Sequence, residues 1–427
     1  YPKPIDAVLI IMMNALLVRY AGISLPIAFL GLPLYVYVPI TYAEISAIGL
    51  TAAGMVIFLA RLLDVVTDPL MGWLQDRFRD HFSPKYWMML SIPILIAGVF
   101  YLFNPTPDSS LAYLAMAVTA TYLGWTMLNI PYLALGSEIG RNTQMRRKVA
   151  LWRESGVLLG GLLALVTVAL FSDSPLETMS QLFILLLLLT AMLIVTMPNQ
   201  PISTQSASSL SNLALLRNSI GLKPLLGLHF INALAAGIPA TLFIVFAEEI
   251  VAVTDAEMGV LLLTYFLSGL LTLPLWNRIA QRVGVISAWR SSLLLAIVGF
   301  IPVFILGQED LMLYWWVCVI TGASLGADMA LPSSLLAKVL QDHSEQSGFA
   351  QEASGFGLWG MTGKLSLAAA VGISFPLLDI ATDLQARESA LIMLYAAIPI
   401  FLKFIVWMFL FKLGLDDQEE KDETVRA

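Results

Sequence analysis

Charge is what this chain has least of. Only 12% of its 427 residues are Asp, Glu, Lys or Arg, about half of what a soluble domain carries. Cysteine is confined to Cys318, which excludes an intrachain disulfide and reads as a small buried residue in an apolar run. The three histidines, His81, His229 and His343, have no metal-ligand spacing, and no HExxH, CxxC or glycine-rich phosphate loop occurs. An enzyme with a resident cofactor therefore has nothing to stand on, and no nucleic-acid partner is expected. A cleaved leader fits poorly too, since no small-residue cleavage site precedes a soluble domain.

Apolar sequence is what the chain has in abundance. Hydrophobic residues make up 58% of it, and runs of about twenty recur along nearly its whole length, the mark of an all-α membrane protein. About twelve spans are predicted, near 18–40, 45–73, 87–104, 111–137, 149–171, 179–198, 224–250, 257–277, 288–307, 311–340, 352–378 and 386–412. Residues 1–17 read as an extension or an interfacial segment ahead of the first span. Basic residues collect in alternate loops (Arg77, Arg79 and Lys85; Arg141 to Lys148; Arg217 and Lys223; Arg278, Arg282 and Arg290), while acids such as Asp108, Asp173 and Glu309 occupy the others. That asymmetry places both termini in the cytoplasm, in a multi-pass protein of the cell membrane.

The polar stretch 199–223, rich in serine, reads as a cytoplasmic linker between two six-helix halves, 18–198 and 224–412; 413–427 reads as a disordered acidic tail. An internal echo supports the halves. Pro69-Leu-Met leads to Arg77, and Pro274-Leu-Trp leads to Arg282 with the same offset, as parallel-repeat transporters would have it. Asp64 and Asp68 correspond to Gly269 and Leu273, so the acids belong to the first half alone.

Those acids are the strongest functional signal. Arg61, Asp64 and Asp68 fall three and four residues apart and share one helical face with Thr67 close by. An ionisable side chain at membrane depth costs roughly 2.5–3.5 kcal/mol and marks an ion or substrate path by default. In span four, Thr126 and Asn129 sit at i, i+3, and a Thr hydroxyl with two carboxylates is an oxygen set suited to a hard cation. Arg153 in span five, Asp328 in span ten and Lys364 in span eleven are further ionisable groups within apolar runs. Lys364 needs an anionic partner, either the Asp64/Asp68 pair or Asp328. Glu154 is expected to serve as a local partner for a base, and Lys403 to turn toward the inner surface. Gly72, Asp76 and Arg77 form G-x-x-x-D-R after span two, where Asp76 can cap a neighbouring helix end and Arg77 can anchor at the interface.

The Arg-x-x-Asp-x-x-x-Asp-Pro-x-x-Gly pattern of span two, Asn129-Ile-Pro131-Tyr132, Arg153 and the lone Lys364 resemble the glycoside–pentoside–hexuronide:cation symporters of the major facilitator superfamily. The resemblance implies a twelve-helix fold, alternating access and symport with Na⁺, H⁺ or Li⁺; separately, the chain is expected to act as a monomer. It also implies a cation site at Asp64, Asp68 and Thr126, with Arg153 and Lys364 in the solute and coupling network. Departures lie on the solute side. Ala28, Asn129 and Leu133 stand where the melibiose-permease pattern has two acids and a stacking Trp, and Met329 falls near the position of a second Trp. The expected function is cation-coupled symport of a sugar-like solute. The alternatives are a carrier of amphipathic molecules of the lysophospholipid type, and a non-transporting receptor on the same scaffold.

Overall fold

The computed structural model describes residues 4–31, 33–34, 38, 41–42, 50–140, 142–171, 175–197, 205–206, 212–219 and 221–411. Most of the serine-rich linker, the acidic tail and much of the segment 32–49 therefore lie outside the described residues. The helices are α1 (Pro4–Phe29), α2 (Leu50–Arg77), α3 (Pro84–Phe103), α4 (Leu111–Ile139), α5 (Thr143–Leu170) and α6 (Pro175–Thr196). After a short helix at Asn212–Asn218 follow α7 (Leu222–Phe246), α8 (Asp255–Val283), α9 (Val285–Phe300), α10 (Leu311–Ser347), α11 (Glu352–Asp383) and α12 (Arg387–Leu410).

Their starts have local causes. Ser110 accepts a hydrogen bond from the Tyr113 N–H ahead of α4, Asn142 does the same for Met145 ahead of α5, and Thr254 with Glu257 forms a capping box on α8. Among the described residues, eleven helices are long and apolar enough to cross a membrane. α2 carries Arg61, Asp64, Asp68, Asp76 and Arg77 along its 28 residues. Exposed Leu, Val, Met and Phe side chains, among them Met192, Val195, Leu271 and Phe401, would be costly in water and mark lipid-facing surface.

By internal contact the chain divides into two units, residues 1–218 with 340–361, and residues 219–339 with 362–427. In the first, α1 packs along α5, and α4 along α2 and α3. Tyr20 of α1 and Tyr132 of α4 stack with centroids 4.4 Å apart, and each hydroxyl donates to the other's backbone carbonyl. Two phenols thus satisfy each other inside an apolar core and fix α1 against α4. Gln205–Ser206 forms a two-residue parallel pairing with Phe349–Ala350.

The second unit is built on aromatic packing. Phe246 stacks on Tyr395 at 4.1 Å, and the Tyr314 and Tyr395 hydroxyls lie 2.8 Å apart. Its buried charges correct the sequence expectation for span ten. Lys403 does not turn to the inner surface. Its ammonium lies 2.5 Å from Asp328 Oδ2 and donates to Asn232 Oδ1, while Trp289 Nε1 and Ser292 Oγ donate to Asp328 Oδ1. Asp328 is therefore the partner of Lys403, not the counter-ion reserved for Lys364. The reason is proximity within the unit: α9 and α12 meet the carboxylate of α10 and supply its donors, and Asn232 of α7 accepts a further bond from Lys403. Lys403→Met should destabilise the protein by about 3–5 kcal/mol by leaving a buried carboxylate without its base. Lys403→Met with Asp328→Asn should recover most of that loss, as read by thermal unfolding of the purified protein.

Candidate functional site

Asp64 and Asp68 are both buried, and Thr126 of α4 meets both of them. Thr126 Oγ1 lies 2.8 Å from Asp64 Oδ1 and 2.9 Å from Asp68 Oδ1, and Thr126 is fully buried. A hydroxyl has one proton to give. It donates to one carboxylate at a time, and the other short oxygen–oxygen contact is favoured by a proton on that second acid or by positive charge close to it. The two carboxylate oxygens are thus no more than about 6 Å apart. At an effective dielectric constant of ~20, two full charges at that distance repel by roughly 3 kcal/mol. Positive charge close to the pair relieves that repulsion.

From sequence, Thr67 is expected at the cation site, and Arg61 and Lys364 in the coupling network. Thr67 donates its hydroxyl proton to the Asp64 backbone carbonyl at 3.1 Å, a bond within its own helix. Arg61 donates from Nε to the Tyr122 hydroxyl at 3.3 Å. Lys364 lies on the part of α11 that belongs to the second unit.

A cavity of about 180 Å³ opens in the first unit, lined in part by Ser24, Asn129, Arg153, Glu154, Phe356 and Trp359. Arg153 Nε donates to Glu154 Oε1 at 2.8 Å, so the base that Glu154 partners is its own sequence neighbour. The pair brings a cation and an anion to the wall with little net charge. Polar groups and aromatic rings on one wall suit a small hydroxylated solute, which needs both hydrogen-bonding groups and a flat apolar face. Phe356 and Trp359 escaped the sequence analysis. Their signal was the spacing Phe356-Gly-Leu-Trp359, which sets two rings at i, i+3 among glycines on the first turns of α11.

At the end of α2, beyond its apolar part, Asp76 Oδ2 accepts the Ser354 N–H at 2.7 Å in the first turn of α11. An acid at a helix N-terminus meets unsatisfied N–H groups and the positive end of the helix dipole. Gly72 is needed one turn earlier, because a Cβ there would come within 2.3 Å of the Ala353 carbonyl oxygen. Arg77 is exposed. The buried base is Arg79, read from sequence only as a loop charge; it reaches Glu138 at 2.7 Å and Glu352 at 3.6 Å. Burial, with Glu352 adding negative charge, pushes Asp76 up to about 7, and Ser354 and Arg79 offset this only in part. A raised carboxyl binds its proton preferentially in the packed state. The α2–α11 junction should therefore lose stability as pH rises from the ordinary value of 3.8 to about 7, and level off above. Hydrogen-exchange protection at residues 352–356, after correction for the intrinsic rise of exchange with pH, should fall over that window, and Asp76→Asn should flatten the dependence.

The family described as MFS/sugar transport protein matches residues 19–417. The chain is 34% identical over 136 residues to the inner membrane symporter YicJ of Escherichia coli, covering 30% of this chain and 29% of that protein. It is 28% identical over 116 residues to the putative glycoside/cation symporter YagG of the same organism, covering 26% and 25%. To the sodium-dependent lysophosphatidylcholine symporter 1 of Gallus gallus it is 31% identical over 183 residues, covering 40% and 34%. These alignments span between 25% and 34% of the relatives' own lengths. Among solved structures, the E. coli fucose:proton symporter FucP superposes with a TM-score of 0.69 at 12% identity, over 95% of this chain and 98% of that one. A bacterial homologue of the iron transporter ferroportin, in an outward-facing state, gives 0.69 at 14%, over 94% and 99%.

Proposed function

From the premise that this chain belongs to the MFS/sugar transport family, the glycoside–pentoside–hexuronide symporter group of the major facilitator superfamily, we propose that it couples a cation to uptake of a glycoside-like solute. The observation that carries this reading is the Thr126 hydroxyl set between two buried acids. Na⁺ or H⁺ supplies, for part of the cycle, the positive charge that Asp64 and Asp68 require. With the ion in place, α2 and α4 are drawn together on three oxygens. The solute occupies the neighbouring cavity, where Asn129 and the Arg153–Glu154 pair offer hydrogen bonds and Trp359 offers a ring face. Alternating access then carries both across a cytoplasmic membrane, with both termini inside and the chain acting as a monomer. The names of two relatives agree with that class: YagG as a putative glycoside/cation symporter, and FucP as a fucose:proton symporter.

A second reading has its own support. The similarity to a lysophosphatidylcholine symporter, together with Ile27, Leu133 and Val157 on the cavity wall, favours an amphipathic solute. Proteoliposomes offered labelled glycosides or lysophosphatidylcholine under a Na⁺ or H⁺ gradient separate the two. Asp68→Asn should abolish gradient-driven accumulation while leaving expression intact; accumulation at the wild-type level would exclude the proposed ion site. Lys364, proposed to couple ion to solute, should on change to Ala alter the ion-to-solute ratio, and an unchanged ratio would leave it a structural base.

A further inference from the structure

The first turns of α11 approach α2 on a face of small residues. Ala353, Gly357 and Gly360 fall at i, i+4 and i+7, one above another on the helix. Two contacts along this seam are between backbones. A Cβ on Gly72 would meet the Ala353 carbonyl oxygen at 2.3 Å, and one on Gly357 would meet the Asp68 carbonyl oxygen at 2.5 Å and Pro69 Cα at 2.9 Å. The third contact differs in kind. A Cβ on Gly360 would lie 2.5 Å from Asp68 Oδ2, the side-chain carboxylate itself.

That carboxylate has little room to yield. Its other oxygen is held 2.9 Å from Thr126 Oγ1, and Asp68 is fully buried. A methyl group at position 360 would turn the carboxylate about its Cβ–Cγ bond and pull Oδ1 off the Thr126 hydroxyl. It would also occupy space beside Oδ2. Gly357 carries no such consequence for the carboxylate group, because its neighbours are the main chain of α2.

We propose that Gly360 is a positioning residue of the cation site: the absence of a side chain there fixes the Asp68 carboxylate and keeps room for the ion beside it. This rests on the reading that Asp64, Thr126 and Asp68 hold the coupling ion. The room matters in proportion to the size of the ion, so Na⁺ is affected more than Li⁺, and Li⁺ more than a proton. Specificity for the ion is thus set partly on α11, a helix that contributes no oxygen ligand at that position.

The test uses the purified full-length protein with NaCl, LiCl or protons as the probe, choline chloride as the control, and the shift in thermal unfolding midpoint as the readout. In the wild type one or more of these ions should raise the midpoint, and Asp68→Asn should remove the effect. Gly360→Ala should raise the half-saturating Na⁺ concentration at least tenfold and the Li⁺ concentration less. If the wild type responds to protons alone, Gly360→Ala should move the midpoint of that pH response. Gly357→Ala should lower the unfolding temperature without moving any half-saturation value. A Gly360→Ala protein that binds each ion as the wild type does, while Asp68→Asn binds none, overturns the proposal and leaves the cation site standing. A response that Asp68→Asn does not remove overturns the cation site and the proposal with it. Should Gly360→Ala fold poorly, Asp68→Ala with Gly360→Ala decides the matter. Stability equal to Asp68→Ala alone identifies the carboxylate as what the methyl strikes, and an additive loss refutes it.

Discussion

One hydroxyl between two acids sets the terms for the first unit. Asp and Thr are short side chains, so Asp64, Asp68 and Thr126 can meet only if α2 and α4 run close at that level. The acids in turn put charge into the middle of an otherwise apolar helix. Its place in an apolar bundle depends on neighbours that bury its charges, and those neighbours come near through small residues. The close approach of Ala353 and Gly357 to the α2 main chain is the counterpart of the short side chains on the other side. The packing of three helices and the chemistry of one site are consequences of the same constraint.

Much of this was legible before any coordinates. Apolar runs gave the helices, and the i, i+4 acids in an apolar setting singled out α2, because membrane burial makes charge costly enough to be informative. Thr126 could be read because its hydroxyl, at helical spacing from Asn129, offers an oxygen to set beside those two acids. What sequence could not supply was the choice of partner. Arg77 and Arg79 are two residues apart and alike in composition, yet one is exposed and the other reaches two carboxylates. Two residues along a helix end is more than half a turn, and which side faces protein is settled by packing. The same holds for Lys403, whose carboxylate partner lies 75 residues away in sequence. Phe356 and Trp359 were passed over because aromatic residues are ordinary in membrane helices, and only the cavity distinguishes these two.

The two buried acid clusters show how geometry separates a lock from a site. Asp328 receives hydrogen bonds from Lys403, Trp289 and Ser292, each fixed by its own helix, so both carboxylate oxygens are served by permanent donors. Such a group is suited to holding helices at a set distance, since any change of occupancy would cost the desolvation of a charge. At Asp64 and Asp68 two acids converge on a hydroxyl with one proton. Positive charge close to that pair lowers its energy, and an ion there, as proposed above, would tie helix spacing to occupancy. If that ion is mobile, its arrival and departure change the preferred α2–α4 distance, and α11 responds because its first turns rest on the same face of α2. Ion binding and rearrangement of the bundle are then a single event, and no separate relay between them is needed.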